Sequence, residues 1–349
     1  GAHVMLRTGT PVHLARAVAS RAPRRPQGAS VTVRVLLPAA LPAAMQQELA
    51  ARHPDVEFVP LTPDGAVPAR GVGAEALLRV ALSKPQLSAA LNAALGVKWV
   101  HTSTAGFDWA LVPEITERNI ILTRSAAAYA VPIGEFAITL ISGLVKRLPA
   151  FATAQRERAW ADLEPYDLDG LQVGVVGAGA IGAETAWRGA ALGMRFRATK
   201  RTQAPLPNFE HVYSPADLHE LGAGSRVVVI ACPLTPETRG LIGAAELAAM
   251  PPGSYLVNVA RGAIVDSAAL VAALDSGHLA GAALDAFETE PLPTSDPFWS
   301  APNLLLTPHT SFKSARNLTR VVDEFEVNLK RFMAGEELLN GMRHPELGY

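Results

Sequence analysis

The chain has 349 residues, enough for two domains of roughly 100–200 residues each. Hydrophobic residues make up 49% of it, so a sizeable core can be buried and wholesale disorder is excluded. A formal net charge of −1 offers no electrostatic case for nucleic acid or an acidic membrane surface, and a single cysteine, Cys232, excludes an intrachain disulfide and a multi-thiolate metal site.

The first 47 residues hold no Asp or Glu and several arginines, among them Arg7, Arg16, Arg21, Arg24 and Arg25. That pattern suits a transit peptide, but the same Arg/Ala/Pro bias runs through the whole chain, so a flexible tail over 1–30 is the expected reading. Ordered structure is expected from residue 31, where the β-branched run 31–37 ends at Pro38. A helix over 43–51 and strands over 56–59 and 97–100 follow. The last leads into a turn-prone Ser103-Thr104-Ala105-Gly106. Alternation of this kind predicts a small α/β unit. Ile133, Phe136, Ala137, Leu140, Ile141, Leu144, Val145 and Leu148 then recur at helical spacing behind Pro132, which predicts one long helix. The mixed charges, Pro165 and Gly170 of 151–170 read as a connection. No apolar run approaches the roughly 20 residues that span a bilayer, so a cytoplasmic protein without membrane partners is expected.

From residue 171 the pattern changes to short apolar runs at 171–176, 226–231, 255–259, 279–284 and 304–306, with helical stretches between them. Fully apolar strands separated by helices indicate a parallel sheet covered on both faces. An amphipathic helix on Leu318, Val321, Val322, Phe325, Leu329, Phe332 and Met333 closes the chain near Gly335.

The run 171–176 leads straight into Gly177-Ala178-Gly179-Ala180-Ile181-Gly182, a G-x-G-x-x-G between a strand and a helix. In that context Gly177 permits the tight turn, Gly179 lets backbone approach a pyrophosphate, and Gly182 lets the helix pack on the strand. Ala180 and Ile181 open the helix, where free N–H groups and the dipole favour an anion. The next strand, 194–199, should end beside the adenosine ribose. An acid there would bond the 2′-hydroxyl of NAD, but this chain has Lys200-Arg201-Thr202, and no acid lies between Glu184 and Glu210. Lys200 and Arg201 suit a 2′-phosphate, so NADP is the expected cofactor, with NAD as the alternative and a solvated basic turn as the ordinary reading. Cys232 and Pro233 after the following strand, and Ala260 after the one beyond, fall on the cofactor side. Cys232 reads as a packed thiol near the cofactor.

In open α/β sheets ligands bind outside the carboxyl ends of the strands. Three successive strands each present a candidate there: Arg261-Gly262 after 255–259, Asp285 and then Glu290 after 279–284, and His309 after 304–306. Arg261 can polarise an oxo group and hold a carboxylate. His309 can protonate the new alkoxide as a hydride arrives. Glu290, paired with His309, would fix its tautomer and favour the imidazolium. Each residue alone has an ordinary structural reading. Together, behind a dinucleotide motif, they predict reduction of a small 2-oxo acid to its 2-hydroxy acid, with no metal required.

These residues carry a family resemblance. Pro233-Leu234-Thr235-Pro236-Glu237-Thr238, Asn258-Val259-Ala260-Arg261-Gly262 through Val265-Asp266, Ala283-Leu284-Asp285-Ala286-Phe287-Glu288-Thr289-Glu290-Pro291-Leu292 and Thr307-Pro308-His309 resemble motifs of the D-isomer-specific 2-hydroxyacid dehydrogenases over about residues 31–335. The resemblance implies two Rossmann-like α/β domains. A doubly wound, parallel-sheet dinucleotide-binding domain would cover 131–312, with a hinge helix over 131–150. A smaller flavodoxin-like substrate domain would be discontinuous, from 31–130 and 313–349. It implies a homodimer, catalysis by Arg261, Glu290 and His309, a nicotinamide partner in Asp285, and substrate held by Arg261 and by the backbone at Ala105 and Gly106. Glyoxylate or hydroxypyruvate is the default substrate. Formate or phosphite, or a cofactor-sensing corepressor-like role, are the alternatives. Two positions depart from the family: Lys200 replaces an acid, and Phe312 stands where small residues are common. Trp299 reads as a pocket border or a core anchor, and Arg79, Lys84, His101 and Arg124 are weak candidates for the same cleft.

Overall fold

A computed structural model describes residues 33–342 except 105 and 108. The expected tail over 1–30 therefore lies outside the described residues. The chain divides into two compact units, one made of the described residues up to Ala128 with those from Leu318 onward, the other Tyr129–Asn317.

The first unit is built in chain order from β1 (Val33–Leu37), α1 (Ala43–Arg52), β2 (Val56–Pro60), β3 (Ala76–Arg79), α2 (Lys84–Ala93), β4 (Trp99–Thr102), α3 (Pro113–Glu117) and β5 (Ile121–Arg124). Its sheet is parallel with the order β2-β1-β3-β4-β5, which is the flavodoxin-like winding. Strands β3 and β5 have four residues each, and β3 carries no β-branched residue, so local pattern does not mark it. Pairing of Ala76 with both Val35 and Trp99 makes it a central strand. Helix α2 starts with a signal that periodicity passes over: Ser83 and Gln86 form a reciprocal capping box around Pro85.

The C-terminal helix Asn317–Ala334 returns to this unit. Phe325 stacks on the fully buried Trp99 at 5.1 Å, and Phe332 lies 5.4 Å from the same ring. On the same helix, Glu324 accepts the N–H groups of Ala127 (3.0 Å) and Ala128 (2.5 Å), while Asn340 donates to its other oxygen. Burial pushes this carboxyl from 4.5 up to about 7, against the pull of those hydrogen bonds. The folded chain then holds this proton more tightly than the unfolded chain does. The associated stability, about 3 kcal/mol, is present below pH 4.5 and is lost as pH rises through about 7. Urea midpoints from pH 4.5 to 8 should fall more steeply for the wild type than for Glu324→Gln. Parallel slopes would refute the assignment.

The second unit runs α4 (Ala130–Val145), α5 (Leu148–Glu157), β6 (Gln172–Val176), α6 (Ala180–Ala190), β7 (Arg195–Thr199), β8 (His211–Tyr213), α7 (Leu218–Ala223), β9 (Val227–Ile230), α8 (Ala244–Ala249), β10 (Ser254–Asn258), α9 (Ser267–Asp275), β11 (Leu279–Leu284) and β12 (Leu304–Leu306). All seven strands are parallel in the order β12-β11-β10-β9-β6-β7-β8. Counted from β6, this is the doubly wound 3-2-1-4-5-6 order with one more strand at the end. Two apolar layers cover it, one centred on α4 and α6, the other on α7, α8 and α9.

The single long helix expected through residue 148 is two helices. Pro149 has no N–H for the carbonyl of Val145, and its ring would clash with that carbonyl. The chain breaks through Arg147 at φ 61°, and Tyr166 N–H takes the Val145 carbonyl at 3.0 Å. The segment 151–170, expected to be a connection, is helical as far as Glu157. Within α5 only Ala154 is buried, so little apolar periodicity marks the helix. Among the described residues no single helix is long and apolar enough to cross a membrane.

Candidate active site

Strand β6 delivers the glycine motif to the sheet's carboxyl end. Gly177 has φ +100°, and a Cβ there would lie 2.7 Å from the Cα of Cys232, so the turn presses against the end of β9. A Cβ on Gly182 would lie 2.6 Å from the Gly177 carbonyl, which holds α6 tightly on its strand. Above Gly179 nothing comes within 4 Å. The cradle is open where a pyrophosphate would approach. The first turn of α6 also leaves the N–H groups of Ala180, Ile181 and Gly182 without helical partners. The residues therefore fit a dinucleotide by shape and by charge.

Past β7, the Lys200 N–H pairs with the Tyr213 carbonyl, and Arg201 and Thr202 are exposed. Glu237 is held below the usual carboxylate range first by the Thr235 hydroxyl, then by its own backbone N–H, with Arg201 adding a smaller pull. The basic turn and the 233–238 segment are thus neighbours. Burial pushes the Cys232 thiol up to about 11, so it stays protonated and packs as an apolar group beside the glycine turn. Pro233 is exposed, and its carbonyl accepts the Thr238 hydroxyl.

Strands β10, β11 and β12 lie side by side, so their carboxyl ends meet. After β10, Asn258 folds the loop back. Its side-chain Oδ1 accepts Ala260 N–H at 2.9 Å, and its side-chain Nδ2 donates to the Arg261 carbonyl at 3.0 Å. Arg261 projects exposed and donates to the Ala260 carbonyl at 2.8 Å. Ala260 itself is buried. Gly262 sits so close to the loop after β11 that a Cβ would lie 2.1 Å from the Phe287 carbonyl carbon.

After β11, Asp285 is buried with its carboxylate turned towards the loop after β12. One oxygen accepts the Thr307 hydroxyl (2.6 Å) and Thr310 N–H (2.9 Å), and the other accepts Ser311 N–H (2.9 Å). Those bonds hold His309 in a left-handed conformation at φ +46°. Its Nδ1 lies 2.8 and 3.0 Å from the two oxygens of Glu290, which also accepts Phe287 N–H at 2.9 Å. A carboxylate only accepts, so Nδ1 carries the hydrogen and Nε2 faces outward. The structure joins Glu290 to His309 and fits the Arg261 loop against theirs. Arg261 makes no hydrogen bond to either among the described residues.

Other expectations fare differently. Ala105 lies outside the described residues. The Gly106 carbonyl accepts the Thr104 hydroxyl in the first unit. Trp299 is not a core anchor. It is 58% exposed, with its indole N–H on the Pro293 carbonyl, because the adjacent Phe298 takes the buried place in that turn. Arg79 and His101 are internal to the first unit. Arg79 donates to the Leu82 carbonyl and to Thr102, while His101 lies between Thr123 and Ser125 and burial pushes it down to about 3. The Arg124 guanidinium lies over the Phe107 ring. Among the described residues no three His, Cys, Asp or Glu side chains gather as a metal site. Sequence reasoning missed the loop-folding role of Asn258 and the loop-tying role of Asp285, although both stand inside the quoted motifs.

Comparison with known proteins agrees with this geometry. Residues 138–311 match the D-isomer specific 2-hydroxyacid dehydrogenase, NAD binding domain. The chain is 33% identical over 223 residues to a glyoxylate/hydroxypyruvate reductase A from Photorhabdus laumondii, covering 64% of this chain and 70% of that one. It is 34% identical over 260 residues to a glyoxylate reductase from Thermofilum pendens, covering 70% and 75%. Among solved structures, a D-isomer specific 2-hydroxyacid dehydrogenase from Xanthobacter autotrophicus Py2, in complex with NADPH and MES, superposes with a TM-score of 0.77 at 34% identity. That match spans 91% of this chain and 100% of the other. A dinucleotide cradle, a histidine–carboxylate pair at the adjoining strand ends and relatives matched over most of their length lead to one conclusion: the chain belongs to the D-isomer specific 2-hydroxyacid dehydrogenase family.

Proposed function

We propose that the chain is an NADP(H)-dependent reductase of small 2-oxo acids, of glyoxylate or hydroxypyruvate size. The observation that carries this reading is the His309–Glu290 pair, set beside the Arg261 loop at three adjoining strand ends of a dinucleotide fold. The second unit, Tyr129–Asn317, takes the dinucleotide. When bound, the nicotinamide supplies a hydride to C2 of the oxo acid. His309 gives the proton on Nε2 to the substrate oxygen, and Glu290 stabilises the doubly protonated ring before that transfer. Arg261 holds the carboxylate and polarises the oxo group. The product is the 2-hydroxy acid, and His309 recovers its proton from solvent.

Asp285 has one lone-pair site left on the oxygen that takes Ser311 N–H, enough for a single carboxamide N–H. The NADPH of the Xanthobacter structure supports NADP as the cofactor, and the basic turn of Lys200, Arg201 and Thr202 is the group that would take its 2′-phosphate. Replacing Lys200 by Asp together with Arg201 by Ala should shift the NADPH/NADH ratio of kcat/KM towards NADH by about 10²-fold, the weight of one or two charge-assisted hydrogen bonds. Unchanged selectivity would make the basic turn incidental. The proposal includes a homodimer in the cytoplasm, and sedimentation velocity would measure its mass.

A turnover panel tests the whole reading. Glyoxylate, hydroxypyruvate and pyruvate are offered with NADPH or NADH, and formate and phosphite with the oxidised cofactors. Fastest turnover of a short 2-oxo acid with NADPH is the expected result. Oxidation of formate or phosphite alone would replace the substrate class. NADPH binding without turnover of anything would make the chain a sensor.

A further inference from the structure

The hydrogen bond that joins His309 to Glu290 leaves one freedom open. Both contacts fall on Nδ1 and tie the ring to Glu290, whose own side chain is 37% exposed, so the pair can shift together. A shift of the pair re-aims Nε2, the ring nitrogen that Glu290 leaves to the substrate side of the proposed reaction. Phe312 occupies the position that limits it. Its ring stands at 86° to the imidazole with centroids 5.8 Å apart, and Tyr129 meets the same phenyl ring at 6.3 Å and 66°. The three rings form a continuous edge-to-face series within one unit.

The base of Phe312 is fixed on both sides. The preceding N–H, of Ser311, is tied to Asp285, and the Phe312 carbonyl accepts the Asn317 amide at 2.6 Å. Burial does not account for the ring, because Phe312 is 36% exposed. We propose that Phe312, braced by Tyr129, is a positioning residue that holds the His309–Glu290 pair in place and thereby sets the aim of Nε2. This rests on the reading of His309 as the proton donor.

The test pairs kinetics with a readout that does not need turnover. Phe312→Leu should lower kcat for glyoxylate about three- to tenfold, the weight of one aromatic contact, with KM and the NADPH dissociation constant within twofold. Phe312→Tyr should restore kcat, and Tyr129→Leu should give a smaller loss in the same direction. In histidine-selective 15N spectra, with His309 assigned by its absence in His309→Gln, the wild type should show one tautomer protonated at Nδ1. Phe312→Leu should keep that tautomer, because Glu290 sets it, and broaden the His309 ring signals as the imidazole becomes mobile. Unchanged kcat in Phe312→Leu overturns the proposal, as does an unchanged imidazole spectrum or a kcat loss matched by weaker NADPH binding. If the wild type turns over none of the oxo acids, the proposed function fails, while the nitrogen spectra still decide whether Phe312 orients the ring.

Discussion

His309→Gln should lower kcat for glyoxylate reduction by about 10²–10⁴-fold while NADPH binding stays within twofold, the range expected when a positioned general acid is lost. Glutamine keeps a polar group of similar reach, so the loop after β12 stays tied to Asp285 through Thr307, Thr310 and Ser311. What disappears is a ring that can both carry a proton and give it up. The alkoxide formed at C2 would then have to take its proton from water. Glu290→Gln should cost less, because the imidazole remains and only its carboxylate partner is exchanged for a neutral amide. The measurement is kcat and KM for glyoxylate, with NADPH binding followed by fluorescence. A loss under tenfold in His309→Gln would remove His309 from the chemistry.

Gly262→Ala should be nearly as damaging, although it touches no reacting group. The added methyl would stand 2.1 Å from the Phe287 carbonyl carbon and 2.3 Å from Glu288 N, both backbone atoms. Neither can turn aside as a flexible side chain does, so one of the two loops must move by an ångström or more. One loop carries Arg261 and the other carries Glu290, which holds His309. A misplacement of that size costs about 10²-fold in rate where geometry is supplied by positioning. The strain should lower stability by about 1–3 kcal/mol. The glycine turn at Gly177 lies on another strand, so NADPH binding should survive. Steady-state kinetics, thermal melts and cofactor titration check all three. Wild-type kcat/KM in Gly262→Ala would mean that the two loops need not be in register.

Legibility differed between the two units for a physical reason. In the second unit the strands are contiguous β-branched or apolar runs such as Val227–Ile230, covered on both faces, and their pattern stands out from the helices around them. In the first unit β3 is Ala-Leu-Leu-Arg, a composition equally at home in a helix, and only its two flanking partners make it a strand. The break between α4 and α5 was written in Pro149, but the apolar periodicity running past it was the louder signal. Trp299 reads as core by residue type, yet its neighbour Phe298 is the one that is buried.

From sequence alone the candidate groups could be named, residue by residue: glycines spaced for a pyrophosphate, a basic turn in place of an acid, and an arginine, a glutamate and a histidine each following a strand. Those features depend on short stretches, where local spacing dictates backbone shape. Which groups touch was decided by the fold. The order β12-β11-β10 brings three strand ends together, pairs Glu290 with His309 across 19 residues, and ties Asp285 to atoms 22 to 26 residues away. The same packing sets Gly262 against Phe287 and stands Phe312 against the imidazole. Such contacts follow from strand order and loop packing, which no local pattern encodes.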